Sequence, residues 1–408
     1  MSADSHVFLI GMGCGNLSTL TLEGQKHLEN SDLIIGADRL LKSLPSDYSG
    51  NCISLYKSKD ILHTVLNSSC ESISVVFSGD TGFYSGTKTL IPLLKEYKID
   101  FKIIPGISSV QLLAARLSRP WQDWKLCSAH GIDCDAVLEV MERKPVFFLT
   151  GGTHSPASLC SQLCSAGLGE IEVTIGENLS YPNEHIYFGK AQDFIGKKFS
   201  SLSVMLTEAL TPEFKPRSSG FSDEMFIRGN IPMTKQEIRS AILAKLGITP
   251  TDIVWDVGAG TGSVSVELAL AANKGKCYGI ECSHEGIELI IANKNKFSAW
   301  NLNVIEGNAP EALLDLPSPD AVFIGGTKGK LREIINTALS KNPNVRICIS
   351  AIALETLSSA LNILTENNLD FEVTQISVNR SKPTGNLHLM MANNPVYLIT
   401  AHKGDFPL

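Results

Sequence analysis

Between Val7 and about Glu208, short runs dense in Val, Ile, Leu and Phe alternate with stretches of mixed polarity and helical period. The runs are VFLIGMG, DLIIGA, SISVVFSGD, FKIIPG, KLCSAHG, PVFFLTGG, EVTIGENLS and SLSVMLTE. Most end in Gly, Asp or Ser, the punctuation that closes a buried strand. Their alternation with helical segments predicts an α/β fold.

The alternation stops at TPEFKPRSSG (211–220), which has two prolines, polar residues and no period, and a linker is predicted over 211–224. The domains expected are therefore 1–210 and 225–408, and a chain starting near Ser222 is expected to fold alone. The second unit repeats the pattern with DIVWDVGAG, KCYGIECS, NLNVIEGNA, DAVFIGG, VRICISAIA, FEVTQISV and PVYLITAH. Ahead of these, Ile238, Ala241, Ile242 and Leu246 fall at helical spacing, and Thr234 with Glu237 predicts a capping box for a helix over 234–246.

Composition narrows the class. With 43% hydrophobic and 19% charged residues the chain should fold throughout, and a net charge of −7 without a basic block argues against nucleic acid as partner. No stretch approaches the ~18–20 apolar residues of a membrane helix, and the first residues lack the pattern of a signal peptide, so a cytoplasmic protein away from membranes is expected. The ten cysteines are irregularly spaced. Neither Cys127/Cys134 nor Cys160/Cys164 makes a CxxC pair, so reduced, mostly buried thiols and no metal site are expected.

The strand DIVWDVGAGTG carries Asp256, Gly258, Gly260 and Gly262, and a helix follows at once. A glycine turn between strand and helix lets backbone approach a ligand at the sheet's opening. A dinucleotide fingerprint needs glycine three positions after Gly260, where Ser263 stands. A plain βα turn, a nucleotide site and a site for S-adenosyl-L-methionine remain open on the loop alone. Glu281 at the next strand end, suited to accept two ribose hydroxyls, and GNAP (307–310) after the third favour the last.

IRGNIPMTKQEIR, VWDVGAGTGSVSVELA, EGNAPEAL, FIGGT, SAIALET and HLMMANNPV together resemble the cobalamin-pathway class I methyltransferases that methylate carbon 15 and decarboxylate an acetate side chain. The resemblance implies a Rossmann-like domain with cofactor contacts at Thr234, Gly258, Ala259, Gly260, Thr261, Gly262, Glu281 and Ala309. Asn308 stands where that family commonly has Asp.

The first unit is similar to the class III tetrapyrrole methylases, through GMGCG (11–15), SGDTGFY (78–84), PGISS (105–109), SAHG (128–131) and the carbon-5 branch segment GENLSYPNEHI. That resemblance implies two α/β halves with a cofactor cleft and contacts at Gly79, Asp80, Ser108 and Ser109, with Asp80 also the candidate catalytic residue. Cys14 and Thr81 replace family prolines, which should soften both loops. Taken together, the two resemblances imply a fused enzyme of vitamin B12 biosynthesis carrying one S-adenosyl-L-methionine per domain and self-associating as a homo-oligomer.

A sulfonium methyl donor needs alignment and desolvation more than an acid or base, in keeping with the absence of a catalytic triad. A tetrapyrrole bears many carboxylates, to be met by cations. Arg228, Arg239, Lys328, Arg380 and Lys382 are candidates near the second site, with Arg116 and Arg119 near the first. His130 is read as a loop histidine held by backbone contacts, with substrate orientation or a proton step as the alternative. RNA or protein methylation and a non-catalytic tetrapyrrole carrier are the competing functions; acidic charge weighs against the first and two intact glycine loops against the second.

Overall fold

A computed structural model describes residues 6–45, 48, 50–131, 133–210 and 220–404. The chain divides into two compact units, Met1–Cys164 with Gly169–Leu210, and Ser165–Leu168 with Thr211–Leu408. Among the described residues no helix is long and apolar enough to cross a membrane.

The first unit holds β1 (His6–Gly11), β2 (Leu33–Gly36), β3 (Asn51–Ser54), β4 (Ser72–Phe77) and β5 (Phe101–Ile104). They form a parallel sheet in the order β3-β2-β4-β1-β5. Its inner strands are covered on both faces. Leu9, Ile35 and Val75 pack with Leu90 and Leu94 of helix Thr87–Glu96, while Ile10, Ile34 and Val76 pack on the other side with Leu28 and Leu40. Two-sided burial is why these strands read as unbroken apolar runs.

A second sheet follows, from β6 (Lys125–Ser128), β7 (Val146–Leu149), β8 (Glu172–Glu177), β9 (His185–Lys190) and β10 (Ser203–Thr207). Its order is β6-β7-β10-β8-β9, with only the β6–β7 pair parallel.

The second unit contains β11 (Ile253–Val257), β12 (Lys276–Glu281), β13 (Leu302–Glu306), β14 (Ala321–Ile324), β15 (Arg346–Ala351) and β16 (Asp370–Ile376). A hairpin of β17 (Asn379–Thr384) and β18 (Leu387–Ala392) precedes β19 (Val396–His402). The seven-stranded sheet runs β13-β12-β11-β14-β15-β19-β16, with β19 antiparallel to both neighbours. Strand order reverses between the parallel neighbours β11 and β14, so a crevice opens at their carboxyl ends, where Gly258 and Gly325 follow.

Three expectations change. The linker ends earlier than 224: residues 211–219 lie outside the described residues, but Phe221 and Asp223 are buried in the second unit. Phe221 is fully buried with its ring 4.9 Å from Phe297, and the Gly220 N–H donates to Glu267 Oε2 at 2.9 Å. A chain starting at Ser222 would lose both contacts.

The capping box is not formed. The helix spans Gln236–Leu246, so Lys235 and not Thr234 is the N-cap and Glu237 falls one position short of the box; Lys235 makes no side-chain cap bond, and the Glu237 carboxylate is engaged by Arg380.

The loops lacking family proline are pinned by other means. Cys14 N–H donates to Thr19 Oγ1 at 3.2 Å, and the Thr81 carbonyl accepts the Thr87 hydroxyl at 2.5 Å.

Candidate functional site

In the first unit, the loops after β1, β4 and β5 converge because those strands are neighbours. Their glycines touch: Gly13 and Gly79 exchange two backbone hydrogen bonds of 3.1 and 2.7 Å. A Cβ on Gly106 would stand 2.4 Å from the Gly79 carbonyl oxygen and 2.5 Å from that of Gly11. Only glycine permits this approach. Asp80 locks the arrangement, accepting from Gly82 N at 2.8 Å through one oxygen and from Gly106 N at 3.1 Å through the other.

Against these loops lies a cavity of about 280 Å3 lined by Gly79, Asp80, Ser108 and Ser109, the four residues expected there. It is also lined by Cys14, Arg39, Tyr84, His130, Thr150 and Tyr181. Ser108 caps helix Ser109–Arg116, sharing Gln111 Oε1 between its N–H and hydroxyl.

Arg39, missed in the sequence, reaches Tyr181 Oη at 2.5 Å and Ser78 Oγ at 3.1 Å. Its position just past the carboxyl end of β2 was the available signal. The two arginines chosen instead are occupied: Arg116 pairs with Glu184 and Arg119 with Glu208, each at 2.5 Å.

In the second unit a cavity of about 710 Å3 opens beside the β11–β14 crevice, within the range typical of small-molecule sites. Gly258, Gly260, Glu281, Ala309 and Lys328 line it as expected, together with Asn308, Cys282 and Glu306. Gly258 has φ +78, and a Cβ there would lie 2.6 Å from Gly326 N.

Glu281 sits between the two loops, its carboxylate accepting from Gly260 N at 2.8 Å, Cys282 N at 2.8 Å and Ser283 N at 2.9 Å. Burial alone would raise its carboxyl, but these backbone donors outweigh it and hold the group below the usual range, hence ionised. The neighbouring Cys282 side chain, and behind it the Glu281 carboxylate, raise the proton affinity of the Lys328 ammonium.

Several expected residues are elsewhere. Ala259, Thr261 and Gly262 face inward: Ala259 and Thr261 are buried, and a Cβ on Gly262 would meet Ile290 Cα at 3.0 Å. Thr234 does not line the cavity; its carbonyl receives Arg239.

Arg239 is not a substrate ligand. Its side chain is fully buried and bonds Glu267 at 2.9 Å, Asp223 at 2.8 Å and the Phe221 carbonyl at 2.5 Å, with the guanidinium 4.6 Å above the Phe226 ring. Arg380 is bound to Asp223 at 2.8 Å and Glu237 at 2.5 Å. Arg228 donates to the Asp223 carbonyl at 3.2 Å, and Lys382 is exposed on β17; neither lines the cavity.

The cysteines are unbridged, but only Cys134, Cys160, Cys277 and Cys348 are buried, fewer than expected. Cys127 and Cys134 bring their sulfurs to 3.5 Å. Among the described residues no group of three His, Cys, Asp or Glu side chains is placed to hold a metal ion.

Asp256, at the base of the glycine turn, is wholly buried and receives the Ser265 hydroxyl on Oδ2 at 2.5 Å, while Oδ1 has no partner among the described residues. Burial pushes its pKa up to about 7. A raised carboxyl means the native state keeps a proton that the unfolded chain releases near its ordinary value of about 3.9. Stability of the second unit should therefore fall as pH rises from roughly 4 to 7, by up to about 1.4 kcal/mol per unit, and then level off. Urea unfolding of the Asp256→Asn variant across this range should lack that decline; an unchanged slope would assign it to another group.

Two family models match the chain: tetrapyrrole (corrin/porphyrin) methylases over residues 6–195 and a precorrin methyltransferase domain over residues 224–403. The precorrin-6Y C(5,15)-methyltransferase [decarboxylating] of Sinorhizobium sp is 30% identical over 325 residues, covering 78% of each chain. The probable cobalt-precorrin-6B C(15)-methyltransferase (decarboxylating) of Pyrobaculum calidifontis is 41% identical over 186 residues, 45% of this chain and 95% of its own. The cobalt-precorrin-6B C(15)-methyltransferase (decarboxylating) of Salmonella typhimurium is 35% identical over 186 residues, 45% of this chain and 96% of its own. With both halves matched in order, and one relative aligned across most of both chains, this chain belongs to the family of decarboxylating precorrin-6Y C(5,15)-methyltransferases.

Proposed function

We propose that the first unit methylates carbon 5 of a precorrin-6-type tetrapyrrole, and that the second methylates carbon 15 and removes the acetate carboxylate of ring C. Each unit uses its own S-adenosyl-L-methionine. The observation that carries this reading is the pair of separate cavities, each built on glycine loops at strand carboxyl ends.

The residues of the second cavity fit such a cofactor. The Glu281 carboxylate is ionised and suited to a ribose diol, Gly260 leaves backbone-wide space beside it, and Asn308 and Ala309 flank the same cavity. In the first, Gly79, held by the touching glycines behind it, and Ser108 present a stretch of lining without bulky side chains. When bound, the cofactor supplies an electrophilic methyl group on a sulfonium leaving group.

The chain then has to hold a polyanion and exclude water. Arg39 in the first cavity and Lys328 in the second are cations that form no salt bridge among the described residues, and both are suited to substrate carboxylates. The conjugated ring accepts the electrons released when carbon dioxide leaves, so decarboxylation demands no cationic sink from the protein.

Incubation of the full chain with a precorrin-6-type substrate and methyl-labelled cofactor should yield a product heavier by two labelled methyls and lighter by one carbon dioxide. Asp80→Asn puts an amide donor where Asp80 now accepts from two backbone N–H groups. It should lower carbon-5 methylation about 10-fold or more, the cost of about 1.4 kcal/mol or more of lost positioning, and leave the other two changes intact. Mass spectrometry of the product reads all three events, and equal loss at both carbons would refute the division of labour.

A further inference from the structure

Methylation at carbon 5, on the reading above, leaves a proton to be removed. A bridge carbon bears one hydrogen. As its π electrons form the bond to the incoming methyl carbon, the methyl–sulfur bond breaks and a neighbouring ring nitrogen becomes a cationic iminium. The bridge carbon now carries both methyl and hydrogen. A base that takes this hydrogen as a proton returns the C–H electron pair to the ring and discharges the cation.

The groups lining the first cavity differ sharply in their fitness for that step. Both Asp80 oxygens already accept backbone N–H groups. The Cys14 thiol donates to the Ile107 carbonyl, and burial pushes its pKa up to about 11, which keeps it protonated. Tyr84 donates to the Leu126 carbonyl, and Tyr181 receives Arg39.

His130 is different. Its Nδ1 lies 3.3 Å from the Thr150 carbonyl oxygen, which can only accept, so Nδ1 carries the hydrogen. In the neutral ring Nε2 then keeps the lone pair, on an exposed residue that lines the cavity. The seat of the ring is also specific: a Cβ on Gly151 would stand 1.8 Å from His130 Nδ1, so only glycine there admits the ring.

We propose that His130 Nε2 is the base that removes the carbon-5 proton after methyl transfer, held in the required tautomer by the Thr150 carbonyl and given room by Gly151. This rests on the carbon-5 activity of the first unit.

The test uses the full chain and a substrate deuterated at carbon 5, in a single turnover. Wild type should release the deuteron with methylation. His130→Ala should still transfer the methyl group but accumulate a methylated cation that retains deuterium, with release slowed about 100-fold or more. Imidazole in the buffer should restore release, while calorimetric binding of the cofactor stays unchanged. Independently of turnover, nitrogen-15 spectra of histidine-labelled protein should show one Nδ1–H tautomer that disappears in the variant.

Release at the wild-type rate in His130→Ala overturns the proposal. So does slowed release that imidazole does not restore, or an Nε2–H tautomer at His130. A wild-type enzyme that leaves carbon 5 unmethylated overturns instead the function on which the proposal rests, and the proposal with it.

Discussion

Replacing Arg239 with methionine will destabilise the second unit by about 3–5 kcal/mol, lowering its unfolding temperature on the order of 10 °C. The loss does not arise from the attraction of the ion pairs as such, since desolvation offsets much of it. It arises because Asp223 and Glu267, both almost wholly buried, are left without their shared counter-charge. Arg380 still reaches Asp223, whereas Glu267 keeps, among the described residues, only the Gly220 N–H. Adding Glu267→Gln to Arg239→Met should therefore recover a large part of the stability, because the neutral amide suits a site with no cation. Scanning calorimetry of the two variants decides the matter: a double variant no more stable than the single would show that packing, not stranded charge, sets the cost.

The second large effect concerns binding. Gly260→Arg should reduce cofactor stoichiometry from two to one per chain and abolish carbon-15 methylation while carbon 5 is still methylated. Gly260 has φ +58, and a Cβ there meets only Ile231 and Pro232, at 3.4 and 3.5 Å; both residues line the cavity, so a long side chain projects into ligand space. The left-handed backbone adds roughly 1–2 kcal/mol of strain. Gly258 is a poorer site for this experiment, because its Cβ would strike the backbone of Gly326 and disturb the fold itself. Calorimetric titration that still finds two sites in Gly260→Arg would remove the glycine turn from the binding surface.

What the sequence revealed follows from burial. Runs such as FLIG, LIIG and VWDV are covered on both faces, and their unbroken apolarity marked them as strands. The strands that escaped notice are exposed: β3 (NCIS) and β9 (HIYFGK) lie at sheet edges, and the hairpin β17–β18 carries Lys382, Pro383 and His388 with every β18 residue exposed. Half-solvated strands need no continuous apolar pattern and leave none.

The glycines and Glu281 were legible because backbone conformation and close approach restrict residue choice at those points. The arginines were not, because nothing local to Arg239 or Arg380 reports a partner far along the chain. One clue was present in SVSVELAL, where a lone carboxylate stands in an otherwise uncharged, mostly apolar helix and so requires a buried donor nearby. Arg39 offered only its place just past the carboxyl end of β2, and its significance depends on which loops meet beside it.

The position of two strands bears on how the polypeptide is made. In chain order β10 is the last described strand of the first unit and β19 of the second, and each is an interior strand, between β7 and β8 or between β15 and β16. A nascent chain that has not yet delivered β10 or β19 presents two unpaired ladders in place of each, open to pairing with other molecules. Each unit thus reaches its native hydrogen-bonding pattern only after nearly its whole length has emerged. A ribosome stalled shortly before Val396 would hold a sheet split down its interior, the state in which this protein is most exposed to aggregation and to chaperone capture.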